Sequence, residues 1–85
     1  MTDRDLLLEA RDRLLPGIVP FTSKDYEADI LVDFVYQKLM VMMYRFSTRK
    51  SATREITLED IKNDSGKSKF RPGLESMLQE LQNEG

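Results

Sequence analysis

Residues Lys24–Lys50 read KDYEADILVDFVYQKLMVMMYRFSTRK, and the rest of the sequence takes its meaning from how this run is folded. Tyr26, Ile30, Leu31, Phe34, Val35, Leu39, Met42, Met43 and Phe46 recur at three- and four-residue steps, the spacing of one face of an α-helix. Val32, Tyr36, Met40, Val41 and Tyr44 fall outside that stripe, so the apolar surface wraps most of the cylinder. The periodicity predicts one long central helix over 24–50, roughly 37 Å long at about 1.5 Å per residue. Short flanking helices cannot cover such a rod on every side. The expectation is a dimer or partner interface made of Ile30, Leu31, Phe34, Val35, Leu39, Met42, Met43 and Phe46.

Outward from that run, Thr2 is placed to N-cap a first helix over 3–15, with Asp3 and Asp5 suited to its first turn. Leu6, Leu7, Ala10 and Leu14 give it an apolar face, and Pro16-Gly17 stops it. Pro16–Pro20 reads as an extended connector, and Thr22 and Ser23 are competent caps for the long helix. After Lys50, Thr57 with Asp60 three residues on marks the capped start of a short helix over 57–63. Asp64–Ser68 is loop by composition, and Pro72 suits the first turn of a last helix over 72–82. Its Leu74, Met77, Leu78 and Leu81 share one face. The expectation is therefore an all-α single domain over 1–85.

Composition bounds the function. Eighty-five residues give a small core, and with no cysteine there is neither a disulfide nor a thiolate metal site to staple it. Packing or oligomerisation must supply the stability. A net charge of -2 argues against a polycation that coats nucleic acid. No signal peptide is visible, and the apolar run from Ile30 to Tyr44 is too short and too charged to span a membrane, so an intracellular protein is expected. From Lys38 to Arg54 every charge is positive: Lys38, Arg45, Arg49, Lys50 and Arg54. Cations finish a helix C-terminus well. The alternative reading makes Arg45, Arg49, Lys50 and Arg54 contacts to DNA or to an acidic partner.

Catalysis has little to stand on. Histidine and cysteine are both absent, which removes the commonest bases, nucleophiles and zinc ligands. Asp29 and Asp33 would share a helix face but supply too few ligands for a hard cation. Gly66-Lys67-Ser68 lacks the strand and the earlier glycine of a phosphate loop. No metal, no cofactor and no enzymatic activity are expected.

The succession of short helix, connector, long helix, β-branched residue and capped short helix resembles the histone fold over Leu6 to Ile61. Pro20-Phe21-Thr22-Ser23, Asp29-Ile30-Leu31-Val32-Asp33-Phe34-Val35 and Ile56-Thr57-Leu58-Glu59-Asp60-Ile61 carry the likeness. It is most similar to the acidic, transcription-associated branch that includes the TBP-associated factors. The resemblance implies a nuclear, heterodimeric subunit of a transcription or chromatin complex, with Thr57 and Asp60 as structural cap and clamp. That family bonds an arginine to the aspartate matching Asp60; Arg54 stands about one residue off that position. The rival expectation is another helical hairpin or bundle, a homodimeric regulator or adaptor of bacterial or phage type that modulates another protein. Both require a protein partner.

Overall fold

A computed structural model describes residues 1–83 and overturns the all-α expectation. Helix α1 (Asp3–Leu14) leads through a 3-10 segment (Leu15–Phe21) into strands β1 (Tyr26–Asp33), β2 (Lys38–Arg45) and β3 (Lys50–Thr57). Helices α2 (Leu58–Asp64) and α3 (Lys67–Asn83) complete the chain. The strands form one antiparallel sheet in the order β1-β2-β3, giving an α/β fold. The expected 24–50 helix does not form, and with it goes the histone-fold architecture that needs such a helix at its centre.

The reason lies in parity. Side chains alternate across a strand, and β1 buries Ala28 and Ile30 while exposing Glu27, Asp29 and Leu31. A four-residue turn, Phe34–Gln37, then shifts the phase, and β2 buries the odd-numbered Leu39, Val41 and Met43. A second four-residue turn, Phe46–Arg49, shifts it back, and β3 buries Ala52 and Ile56. Across the first turn the buried set steps from Ile30 to Leu39 to Val41. Apolar residues on the opposite face, Leu31, Met40, Met42 and Tyr44, fill the gaps and imitate helical spacing.

Local chemistry makes the turns. The Asp33 carboxylate accepts the amides of Val35 and Tyr36, both at 3.0 Å, an aspartate-centred turn. Gln37 and Arg49, last in their loops, both take left-handed backbone, with φ of 53° and 58°. The resulting register sets Ile30 opposite Val41 and Val41 opposite Arg54. β-Branched and aromatic residues along β1 and β2 favour the pleated conformation.

Helices α1 and α3 lie on one face of the sheet. Leu7, Ala10 and Leu14 of α1 and Phe70, Leu74, Met77 and Leu81 of α3 meet Ile30, Leu39, Val41, Met43 and Ile56 in a single core. Thr2 caps α1 and Thr57 caps α2, each in a capping box closed by the aspartate three residues on. Ser65 and Gly66 end α2 in left-handed conformations; a Cβ on Gly66 would lie 2.8 Å from Ile56 Cγ2, so only glycine fits the bend. Helix α3 starts at Lys67, five residues before the Pro72 start that proline chemistry suggested. Pro72 withholds a donor from the Ser68 carbonyl, at a place where Ser68, Arg71 and Pro72 are all exposed.

The strand assignment has a direct test. Leu39→Ala, in the core, is expected to cost about 2–5 kcal/mol, whereas its neighbour Met40→Ala, on the opposite face, costs about 1 kcal/mol or less. Urea unfolding of the two variants reads the difference, and equal costs would contradict the parity described.

Candidate protein-binding face

Strand alternation divides the expected interface residues into three groups. Ile30, Leu39 and Met43 are sealed in the core beneath the helices. Leu31 and Met42 stand on the opposite, outer face of the sheet. Phe34 and Val35 form the tip of the β1–β2 turn, and Phe46 opens the β2–β3 turn. They therefore do not make the single seam that a helix would have given them.

The outer face instead gathers a different set. Leu31 pairs across the ladder with Met40, and Met42 and Tyr44 continue the row along β2. Phe46 meets Tyr44 edge to face, with ring centroids 5.1 Å apart. The row lies on the face of the sheet opposite the core: Leu31 keeps 49% of its surface exposed and Phe46 47%, while Met40, Met42 and Tyr44 are half-buried. The row is one strand wide. On the β1 side it is flanked by Glu27, Asp29 and Asp33, and on the β3 side by Ser51, Thr53, Glu55 and Thr57. Glu27, Asp29, Met42, Tyr44 and Ser51 line a shallow depression of about 320 Å³ there. Met40, Tyr44, Glu27 and Asp29 were not among the expected interface residues. The alternation of β1, acidic at Glu27, Asp29 and Asp33 and apolar between, was the signal that could have placed them.

Charge on this face is uneven. Lys38 Nζ lies 2.6 Å from Glu55 Oε1, and this bond holds the ammonium above its ordinary pKa. Glu27 and Asp29 form no ion pair among the described residues. Asp29 Oδ1 instead accepts the Ile30 amide at 2.7 Å.

The expected basic patch also comes apart. Arg45 is an internal tie: Nε meets Asp25 Oδ2 at 3.0 Å, and Nη1 donates to the Leu81 carbonyl at 3.0 Å near the end of α3. Arg54 reaches α3 as well, with Nη2 3.0 Å from Glu80 Oε2 and 3.2 Å from Ser76 Oγ. It makes no bond to Asp60, whose carboxylate receives the Thr57 amide at 3.0 Å and Lys69 Nζ at 3.1 Å. Only Arg49 and Lys50 project into solvent, from the β2–β3 turn. Four cations close in sequence thus become two cross-ties and two free ends.

Among the described residues no group of three or more His, Cys, Asp or Glu side chains is placed to hold a metal ion. No helix among the described residues is long and apolar enough to cross a membrane. The Gly66 and Ser68 amides are already taken within the chain, donating to the Asp64 carboxylate at 3.0 and 3.2 Å. Comparison with known protein families, curated proteins and solved structures finds no match to this chain.

The Asp25–Arg45 tie makes stability depend on acid. The Arg45 hydrogen bond is the largest influence holding the Asp25 carboxyl below its ordinary value; burial opposes it, and the Ser47 amide and hydroxyl assist. A folded pKa below the unfolded one means the contribution is complete above pH ~4 and disappears as pH falls through the folded value. Asp60, lowered first by the Thr57 amide, acts in the same sense. Urea midpoints are expected to be level from pH 7 to 5 and to drop below pH ~4. Asp25→Asn should lower the midpoint at pH 6 and flatten the acid loss. An acid slope unchanged in Asp25→Asn would remove this aspartate from the explanation.

Proposed function

We propose that this chain is a non-enzymatic protein-interaction module that binds another protein through the outer face of its sheet. The observation that supports the reading is the asymmetry of β2: Leu39, Val41 and Met43 are buried in the core shared with the helices, while Met40, Met42 and Tyr44 on its other side stay half-buried. Sheets with apolar residues on both faces are stable arrangements when both faces are covered. Exposed apolar rows rimmed by polar residues mark interaction surfaces. Methionine suits such a row because its unbranched, polarizable side chain adapts to a partner's contour.

Each buried side chain of the row would contribute roughly 1.5–3 kcal/mol on leaving water, so one substitution at its centre is enough to read. The chain is used as bait in its own host as wild type, as Met42→Asn on the outer face, and as Gln79→Lys on an exposed position of α3. Proteins retained by wild type and Gln79→Lys are expected to fall at least about tenfold with Met42→Asn. Circular dichroism establishes that all three are folded alike. Identical retention by the three forms would overturn the reading.

A further inference from the structure

The geometry points to a specific occupant for the outer face: an amphipathic helix of another protein, with one narrow apolar stripe and basic residues along one side of it. This rests on the interaction-module reading and gives it a partner chemistry.

Three observations select that occupant. The first is width. The row, half-buried Met40, Met42 and Tyr44 running to exposed Phe46 with exposed Leu31 beside Met40, is one strand broad over most of its length between two polar rows. A helix presents an apolar stripe of that kind, whereas a second sheet would meet three strands at once. The second is length. From Met40 to Phe46 the row extends about 20 Å at roughly 3.3 Å per residue. A helix of about 13 residues has the same length, within reach of a short amphipathic segment. The third is charge. Four carboxylates, Glu27, Asp29, Asp33 and Glu55, share this face with one ammonium, Lys38, and Glu55 already holds it. Glu27 and Asp29 therefore await cations on the β1 flank. Arg49 and Lys50 stand beyond the end of the row, where β2 turns into β3.

A second copy of this chain is the rival occupant, and charge disfavours it. Stacked face to face, two copies would bring the Glu27–Asp29–Asp33 row against its own equivalent or against the row holding Glu55. Neither arrangement supplies a free cation from the face itself, because Lys38 is committed on both copies and Arg49 and Lys50 stand beyond the end of the row. A basic helix removes the repulsion and fills the row together.

Two synthetic 18-residue peptides test this with the intact chain. Both carry leucine at helical spacing; one flanks the stripe with lysine, the other with glutamate. Fluorescence anisotropy with labelled peptide is expected to show the lysine peptide binding at least about tenfold more tightly at low salt. The advantage should shrink as salt shortens the reach of the charges. Glu27→Lys with Asp29→Lys should abolish or reverse the preference, and Met42→Asn should weaken the lysine peptide about tenfold. Equal binding of the two peptides overturns the proposal, as does binding of the lysine peptide that Met42→Asn leaves unchanged. Failure of both peptides with a dimeric mass by light scattering, lost in Met42→Asn, makes the occupant a second copy; that overturns the helix but leaves the interaction module standing. Failure of both peptides with a monomeric mass overturns the helix, and the bait experiment then judges the module separately.

Discussion

The pairing of β2 on both of its edges is the constraint that sets the architecture. Lys38–Arg45 is the central strand, bonded to β1 along one side and to β3 along the other, so its backbone groups are satisfied within the sheet. Its side chains then have only two directions to go. Leu39, Val41 and Met43 go down and become the centre of the core, with Leu39 and Met43 wholly removed from solvent. Met40, Met42 and Tyr44 go up. With two long helices available and both needed below, an apolar central strand leaves an apolar face above.

The polar residues are distributed to the same plan. Arg45 and Arg54, which point to the helical side of the sheet, are each tied to α3, at the Leu81 carbonyl and at Glu80. These ties fix the helix across the sheet, and they take guanidinium groups that would otherwise stand against the core. Arg45 also lies 5.4 Å above the Tyr26 ring, closing the end where β1 begins. The two outer strands each answer an edge group from within: Asp29 takes the Ile30 amide, and Arg54 Nη1 donates to the Thr53 carbonyl at 2.7 Å. Such internal answers blunt the tendency of open strand edges to recruit other strands. The proposed interaction surface is accordingly the face of the sheet and not its edge.

Core-facing and outward-facing residues thus alternate one by one along β2. A substitution at Leu39 or Met43 strikes the core, and one at Met40 or Met42 strikes the face proposed for recognition, although the four lie within five positions of one another. That alternation also explains why methionine is concentrated here. In the core Met43 is fully buried beneath the helices, and on the outside Met40 and Met42 stay half-buried, where an unbranched side chain is free to change rotamer.

The capped starts of α1 and α2 were determined by the sequence alone, because capping is a contact between residues three apart, whereas the start of α3 at Lys67 was not. Thr2 with Asp5 and Thr57 with Asp60 carry their own instructions, and so does the halt at Pro16-Gly17. The absence of histidine and cysteine likewise fixed which chemistries have no residues to perform them. The central run was different. Its turns lack the glycine and asparagine that usually announce a hairpin, placing Gln37 and Arg49 in left-handed backbone instead. Its middle strand is apolar on both sides, which hides a period of two under a false period of three and four. Only the tertiary structure decided between helix and sheet there, since strand pairing joins residues as far apart as Leu39 and Ile56, and with that choice it decided which apolar residues meet the core and which face away from it.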